Sequence, residues 1–149
     1  MSDLVEVAKK ILLENRRAGY TLPTNNKLYP AQWNWDSAFI SLGYSYFNLD
    51  YAIQELETLL KGQWDDGMVP HILFHEVDDS YFPNHTTWSC GKEIPSSGIT
   101  QPPIAASILR MIVKNNQLNE TQSKKVFNLV CKLKKYHEWF FKNRDQNQS

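Results

Sequence analysis

Apolar residues recur at helical spacing in five separate stretches of the chain. In the first stretch the repeating positions are Leu4, Val7, Ala8, Ile11 and Leu12. A cap at Ser2 or Asp3 and a stop signal at Gly19 predict a helix over residues 3–18. The second helix is predicted from about Asp36 to Phe47. Its small and apolar residues lie on nearly every side, which is typical of a buried helix in an inner layer.

The other three stretches predict amphipathic helices. The third helix is capped by Asn48 or Asp50 and has an apolar stripe formed by Ile53, Leu56, Leu59 and Leu60. Its polar positions, which the pattern assigns to water, are Gln54, Glu55 and Glu57. The fourth helix starts at the proline-rich turn 100–103 and runs to about Asn115. Its inward positions are Ile104, Ala105, Ile108, Leu109 and Ile112. The fifth begins after a cap at Asn119 and continues to about Lys142.

Two irregular segments lie between these helices. The first, residues 20–33, contains Pro23, Pro30 and the turn-forming pair Asn25-Asn26. The second runs from about residue 63 to Thr100 and begins with a turn at Asp66-Gly67. Loops of this length inside compact domains are usually functional or disordered, and the aromatic content of this one argues against disorder. The pattern therefore predicts an all-α fold with long aromatic loops at one side.

Composition narrows the class of protein. The chain has 149 residues, of which 42% are hydrophobic, so it is long enough for one packed domain. Its formal net charge is zero, without a long basic run, which argues against nucleic acid or an anionic membrane as partner. No apolar run approaches the roughly 18 residues of a membrane span. The two cysteines, Cys90 and Cys131, suggest neither a disulfide framework nor a zinc ribbon, and we expect a cytoplasmic protein.

The stretch from Tyr29 to Ser37 carries the most informative side chains. It combines two indoles, Trp33 and Trp35, with the carboxylate of Asp36. An indole can stack on the C–H face of a sugar ring, and a carboxylate accepts two hydroxyl hydrogen bonds. This combination suits a carbohydrate site. The alternative is that both tryptophans are core aromatics and Asp36 is a helix N-cap.

Other candidate groups carry weaker signals. His71 and His75 are spaced for a metal site only if they lie on a helix, and Pro70 argues against a helix there. Five carboxylates in the second irregular segment could supply a general acid and base but are typical of solvated turns: Asp65, Asp66, Glu76, Asp78 and Asp79. Cys90 has no histidine identifiable as its base, so a structural thiol is favoured. We expect neither a metal nor a cofactor.

Four motifs together resemble the N-terminal part of family-63-type glycoside hydrolases, and within these the mannosylglycerate and glucosylglycerate hydrolases. The motifs are Trp-x-Trp-Asp-Ser-x-Phe from Trp33, Gln-x-x-x-Gly-x-x-Pro-His from Gln63 to His71, Tyr81, and Gln101-Pro102-Pro103. The resemblance covers nearly the whole chain. It implies that residues 1–149 are the N-terminal portion of a single (α/α)6 toroid barrel of helical hairpins, with a small glycoside bound in a funnel at one end.

The resemblance also implies site residues. The substrate-binding positions carried over are Tyr29, Trp33, Trp35, Asp36, Tyr81 and Gln101. Family members are much longer, and both their general acid and their general base lie in motifs that do not occur in residues 1–149. We therefore assign no catalytic residue to this chain and expect it to be inactive alone. Its expected partners are the remainder of the barrel or another copy of itself.

Two alternatives stay open. The chain could be a stand-alone carbohydrate-binding or interaction module that keeps the aromatic platform, in which case replacing Asp36 would abolish sugar binding. It could also be a structural helical domain whose tryptophans belong to the core. The latter predicts that Asp36→Ala costs only the roughly 1 kcal/mol of a lost cap.

Overall fold

Six helices and one two-stranded sheet form the part of the chain that the computed structural model describes, residues 2–24 and 28–145. In chain order the elements are α1 Ser2–Asn15, β1 Gln32–Trp33, α2 Asn34–Ser45, α3 Leu49–Lys61, β2 Ile72–Leu73, α4 His85–Trp88, α5 Ala105–Asn115 and α6 Glu120–Arg144. All five predicted helices are present, and α4 is a single additional turn. The predicted turn at Asn25-Asn26 lies outside the described residues.

Side-chain caps fix the starts of two helices as the sequence predicts. At the start of α3, Asn48 accepts a hydrogen bond from the backbone N–H of Tyr51, with an O···N distance of 3.1 Å. At the start of α6, Asn119 and Gln122 form a reciprocal capping box. Each cap satisfies backbone N–H groups that have no partner within the helix.

Two helix ends differ from the prediction because tertiary pairing decides them. The first helix ends at Asn15 rather than near residue 18, since Arg16 pairs with Thr21 in an antiparallel bridge. The second starts at Asn34, two positions earlier than predicted. Its N-cap is Trp33, without a side-chain cap bond, so the interpretation of Asp36 as N-cap is wrong.

The core lies where α2 meets its neighbours. Small buried residues on α2, among them Ala38 and Ser41, let α3 approach closely, and the Ser41 hydroxyl donates to the Ala52 carbonyl at 2.8 Å. α2 also packs on α5, and α3 packs on α6. The largest buried side chains of this core are Tyr44, Ile53, Leu56, Leu59, Leu60, Ile112 and Tyr136. Within the described residues α2 thus packs on α1, α3 and α5, but it is not buried on nearly every side as its pattern predicts, since Trp35 is 40% and Phe39 48% exposed.

Glu55 contradicts the sequence prediction, which placed it in water. Its side chain is fully buried between α3 and α2. One carboxylate oxygen accepts from the Ser37 hydroxyl at 2.6 Å and from the Gln32 amide at 3.0 Å, and the other accepts from the Thr21 hydroxyl at 2.8 Å. A stripe of apolar residues cannot reveal such a position, because it locates only the apolar part of the buried face.

A short antiparallel sheet ties the second irregular segment to the first. Gln32 pairs with Leu73, and Trp33 pairs with Ile72. The sequence predicted no strands here, since two residues are too few for an alternating pattern. The predicted turn at Asp66-Gly67 is present, with Gly67 at φ 104° and its Cα so close to α6 that a Cβ would lie 2.6 Å from the Lys135 carbonyl. These two contacts fix the first part of the loop to β1 and to α6.

Apolar surface remains exposed along an α5/α6 groove. The residues that line this groove are Ala106, Leu109, Arg110, Val113, Lys114, Val126, Val130, Leu133, Lys134 and His137. Val130 in this groove is 50% exposed. Exposed apolar patches of this kind mark interaction surfaces. Among the described residues, no helix is both long and apolar enough to cross a bilayer.

We expect the isolated chain to self-associate through this groove, because association removes its apolar walls from water. Val130→Glu should shift the chain toward monomer in sedimentation velocity. Val77→Glu is the matched control, since Val77 is 73% exposed in the distant loop and should leave association unchanged. A monomeric chain with a cooperative melt would contradict the prediction.

Candidate functional site

The first turn of α2 brings two of the predicted site residues into direct contact. Trp35 is 40% exposed, and its backbone N–H donates to the side-chain oxygen of Gln101 at 2.9 Å. The Gln101 amide therefore satisfies one of the unpaired N–H groups at the start of this helix. The oxygen of the Gln101 side chain is used in this bond, and its amide nitrogen is a hydrogen-bond donor.

Three aromatic rings contact one another next to the start of α2. Trp33 lies between Tyr29 and Tyr81, with edge-on centroid distances of 5.2 Å and 5.9 Å. Only 7% of Trp33 is exposed, whereas Tyr29 is 40% exposed. Burial raises the pKa of Tyr81, and the nearby Tyr29 adds to this shift, so the Tyr81 phenol stays protonated as a hydroxyl donor. Trp33 thus supports two tyrosines and presents little of its own face.

Asp36 follows Trp35 in the first turn of α2 and is half-buried. Burial raises the pKa of its carboxyl above the ordinary value, and its own backbone N–H opposes this shift. The positive end of the helix dipole favours a carboxylate at this position. Partial loss of hydration makes such a group a strong acceptor for any hydroxyl that reaches it.

A buried hydrogen-bond network holds this surface from behind. The Asn34 side-chain amide donates to the Tyr136 hydroxyl at 3.0 Å and to the Val69 carbonyl at 3.3 Å. The Tyr136 hydroxyl donates to the Gln101 carbonyl at 2.7 Å, and the Thr100 hydroxyl donates to the Val69 carbonyl at 2.6 Å. The network joins α6, the 100–101 segment and the start of α2. Sequence reasoning missed it because Asn34 and Tyr136 lie 102 positions apart.

The two histidines considered for a metal site have separate protein partners. The Nδ1 atom of His71 lies 2.6 Å from the Ser97 hydroxyl, and burial lowers the pKa of this imidazole. The Nε2 atom of His75 lies 2.7 Å from the side-chain oxygen of Gln32, and its ring stacks against Tyr20 with centroids 4.2 Å apart. Neither lies on a helix, so the geometry that the spacing would require is not formed.

Several candidate acid and nucleophilic groups have structural contacts. The carboxylate of Asp66 accepts from the Trp139 indole at 3.0 Å and from the Met68 backbone N–H at 3.0 Å, which fixes the turn to α6. Asp78 accepts from the backbone N–H of Ser80 within its own turn at 2.9 Å. Burial raises the pKa of the Cys90 thiol, which disfavours the nucleophilic thiolate.

Most of this chain is similar to known glycoside hydrolases. A family model described as the mannosylglycerate hydrolase MGH1-like glycoside hydrolase domain matches residues 29–149. Mannosylglycerate hydrolase MGH2 of Selaginella moellendorffii is 45% identical over 145 residues, which cover 95% of this chain and 29% of that protein. Glucosylglycerate hydrolase of Mycolicibacterium hassiacum is 33% identical over 133 residues, which cover 81% of this chain and 30% of that protein.

The fold agrees with that of a solved relative. The crystal structure of the GH63 mannosylglycerate hydrolase from Thermus thermophilus in complex with Tris and D-glycerate matches with a TM-score of 0.88 and 40% identity. The match covers 96% of this chain and 34% of that enzyme. The prediction of helical hairpins that form part of an (α/α)6 barrel is confirmed, and the chain spans about a third of the length of the relatives it matches. This chain therefore belongs to the mannosylglycerate hydrolase MGH1-like family of glycoside hydrolases.

Proposed function

We propose that residues 1–149 form the N-terminal portion of the catalytic domain of an inverting α-glycoside hydrolase and supply one wall of its sugar funnel. The substrate is a small glycoside, mannosylglycerate or glucosylglycerate. The observation that carries the proposal is the first turn of α2, where exposed Trp35 is hydrogen-bonded to Gln101 and is followed by half-buried Asp36. Both relatives described above act on glycosides of glycerate, as their names state.

The sugar would bind at the start of α2. The exposed face of Trp35 offers a stacking surface for the C–H groups of a pyranose ring. The carboxylate of Asp36 can accept two neighbouring ring hydroxyls at once, and charge-assisted hydrogen bonds of this kind are stronger than neutral ones. Stacking on Trp35 would fix the plane of the sugar ring, and two hydrogen bonds to Asp36 would fix its rotation within that plane.

The glycerate portion would bind toward the two tyrosines and Gln101. The amide nitrogen of Gln101 can donate hydrogen bonds, and so can the hydroxyls of Tyr29 and Tyr81, whose rings both contact Trp33. Three neutral donors suit a carboxylate that must be bound and then released. In this arrangement Trp33 positions the two tyrosines through its edge-on ring contacts with them.

Catalysis requires carboxylates from outside these residues. An inverting glycosidase needs an acid and a base roughly 6.5–9.5 Å apart, with a water between them. Glu55 and Asp66 are held in structural hydrogen bonds, and Asp36 is assigned to the sugar. We therefore propose that the remainder of the barrel supplies both catalytic groups in the cytoplasm, without a metal or cofactor.

Titration of mannosylglycerate and glucosylglycerate into the purified chain, followed by tryptophan fluorescence, tests this function. We expect a saturable change in fluorescence. The affinity for the glycoside should be about tenfold lower in Trp35→Ala, which corresponds to about 1.4 kcal/mol of lost stacking. Tyr46→Ala is the matched control, since Tyr46 is a 74% exposed aromatic at the opposite end of α2. The chain should release no free sugar.

Two results would count against the proposal. Equal affinity in Trp35→Ala and in the unchanged chain would remove Trp35 from the sugar site. Sustained sugar release by the purified chain would show that the catalytic pair lies within residues 1–149. The ratio of the two affinities identifies which sugar the wall prefers.

A further inference from the structure

A cavity of about 520 Å³ lies between α3, α6 and the turn after α1. It shares no residue with the predicted sugar site. The residues that line it are Ala18, Gly19, Gln54, Glu57, Thr58, Leu60, Lys61, His75, Ile94, Lys125, Asn128, Leu129 and Lys132. Its volume is in the range of small-molecule sites. Nothing in the proposed glycosidase function uses this cavity.

Positive charge dominates the cavity. Three lysines line it, Lys61, Lys125 and Lys132, against one carboxylate, Glu57. The Lys125 ammonium lies 3.1 Å from Glu57, so this pair is neutral. The ion pairs formed within residues 2–24 and 28–145 include neither Lys61 nor Lys132. Two ammonium groups therefore remain uncompensated by a carboxylate in the described part of the chain.

These two lysines are held near one another. The Lys132 ammonium donates to the carbonyl of Leu60, the residue before Lys61 at the end of α3, with an N···O distance of 2.7 Å. Burial lowers the pKa of Lys132, and the neighbouring charges of Lys135 and Lys61 lower it further. Like charges gathered in a cleft raise the local concentration of anions. An anion bound between them would relieve their mutual repulsion.

Uncharged hydrogen-bonding groups complete the cavity. Amide and hydroxyl groups come from Gln54, Thr58 and Asn128. The lining also includes the apolar residues Leu60 and Leu129. The side-chain oxygen of Gln54 accepts from Arg16, which leaves its amide nitrogen as a donor near the Gly19 backbone. A ligand bound by the lysines would therefore meet donors and acceptors suited to hydroxyl groups.

We propose that this cavity binds a small phosphate monoester with a hydroxylated body. A phosphate monoester carries about −1.5 to −2 charges at pH 7, which matches two uncompensated ammonium groups. A monocarboxylate would neutralise only one of them. The hydroxylated body of the ligand pairs with Gln54, Thr58 and Asn128, and the cavity volume admits a ligand of that size.

Isothermal titration calorimetry of the full 149-residue chain with glycerol 3-phosphate at low ionic strength tests the proposal. We expect saturable binding that is at least about tenfold weaker in Lys61→Gln and in Lys132→Gln, and that weakens as salt is added. Lys124→Gln is the matched control, because Lys124 lies on α6 outside the cavity and pairs with Glu120. Its affinity should equal that of the unchanged chain.

Further ligands and a second method make the test independent of the variants. Glycerol and acetate should give no saturable heat, and inorganic phosphate should bind more weakly than glycerol 3-phosphate. Two-dimensional NMR should show shifts concentrated at the Gly19 backbone and at the side-chain amides of Gln54 and Asn128. Undiminished affinity in both lysine variants, equal binding of acetate, or shifts confined to other residues would overturn the proposal.

Discussion

Replacing Glu55 by alanine should lower the free energy of unfolding by about 3–5 kcal/mol. The substitution removes the acceptor for Ser37, Gln32 and Thr21, all of which are buried. A buried donor left without a partner costs about 1–3 kcal/mol, and the lost volume adds to this. Urea denaturation followed by circular dichroism measures the change.

Glu57→Ala provides the matched control on the same helix. Glu57 pairs with Lys125 at the surface, where ion pairs contribute about 0–1 kcal/mol. A loss at Glu55 no larger than that at Glu57 would show that the buried carboxylate does not stabilise the fold. Equal losses would also mean that the three donors find other acceptors.

The same carboxylate should make stability depend on pH. Burial is the main cause that raises the pKa of Glu55, although its three side-chain donors oppose the shift. A raised pKa means that the folded state binds the proton more tightly than the unfolded state does. The contribution of Glu55 is therefore largest below its ordinary pKa and is lost as the pH rises through its folded value. The stability of the unchanged chain relative to that of Glu55→Gln should therefore fall as the pH rises through that value.

Replacing Asp36 by asparagine should weaken binding of mannosylglycerate by about a hundredfold while changing the stability of the chain by less than about 1 kcal/mol. The substitution keeps the shape but removes the charge, and hydrogen bonds to charged groups contribute about 1.5–3 kcal/mol. Fluorescence titration measures the affinity, and thermal melts measure the stability. Binding to the unchanged chain should also weaken as the pH falls through the raised pKa of Asp36, because protonation removes one acceptor.

Asp50→Asn is the matched control for this substitution. Asp50 is also a first-turn aspartate, in α3, where it accepts from the Gln122 amide at 2.8 Å far from the sugar site. Its replacement should leave glycoside binding unchanged. If Asp36→Asn binds as tightly as the unchanged chain, Asp36 serves only the first turn of α2 and the sugar site lies elsewhere.

The helices and the class of fold could be predicted from sequence because their signals are local. The cap at Asn48, the capping box at Asn119 and the apolar stripes of α3 and α5 each depend on residues a few positions apart. The family could be recognised for a similar reason, since the motifs from Trp33, from Gln63 to His71 and from Gln101 are each short runs of neighbouring residues. The roles assigned to these side chains in substrate binding stay predictions.

The remaining features depend on contacts between distant parts of the chain, which no short pattern records. The buried Glu55 accepts hydrogen bonds from Thr21 and Gln32, which precede α2 in the chain, and the cavity lined by Lys61 and Lys132 forms only where α3 packs on α6. The hydrogen bond from Trp35 to Gln101 joins residues 66 positions apart. By itself the sequence predicted the five longer helices and the family. Only the tertiary structure decided which polar side chains are buried, because burial depends on the packing of helices against one another.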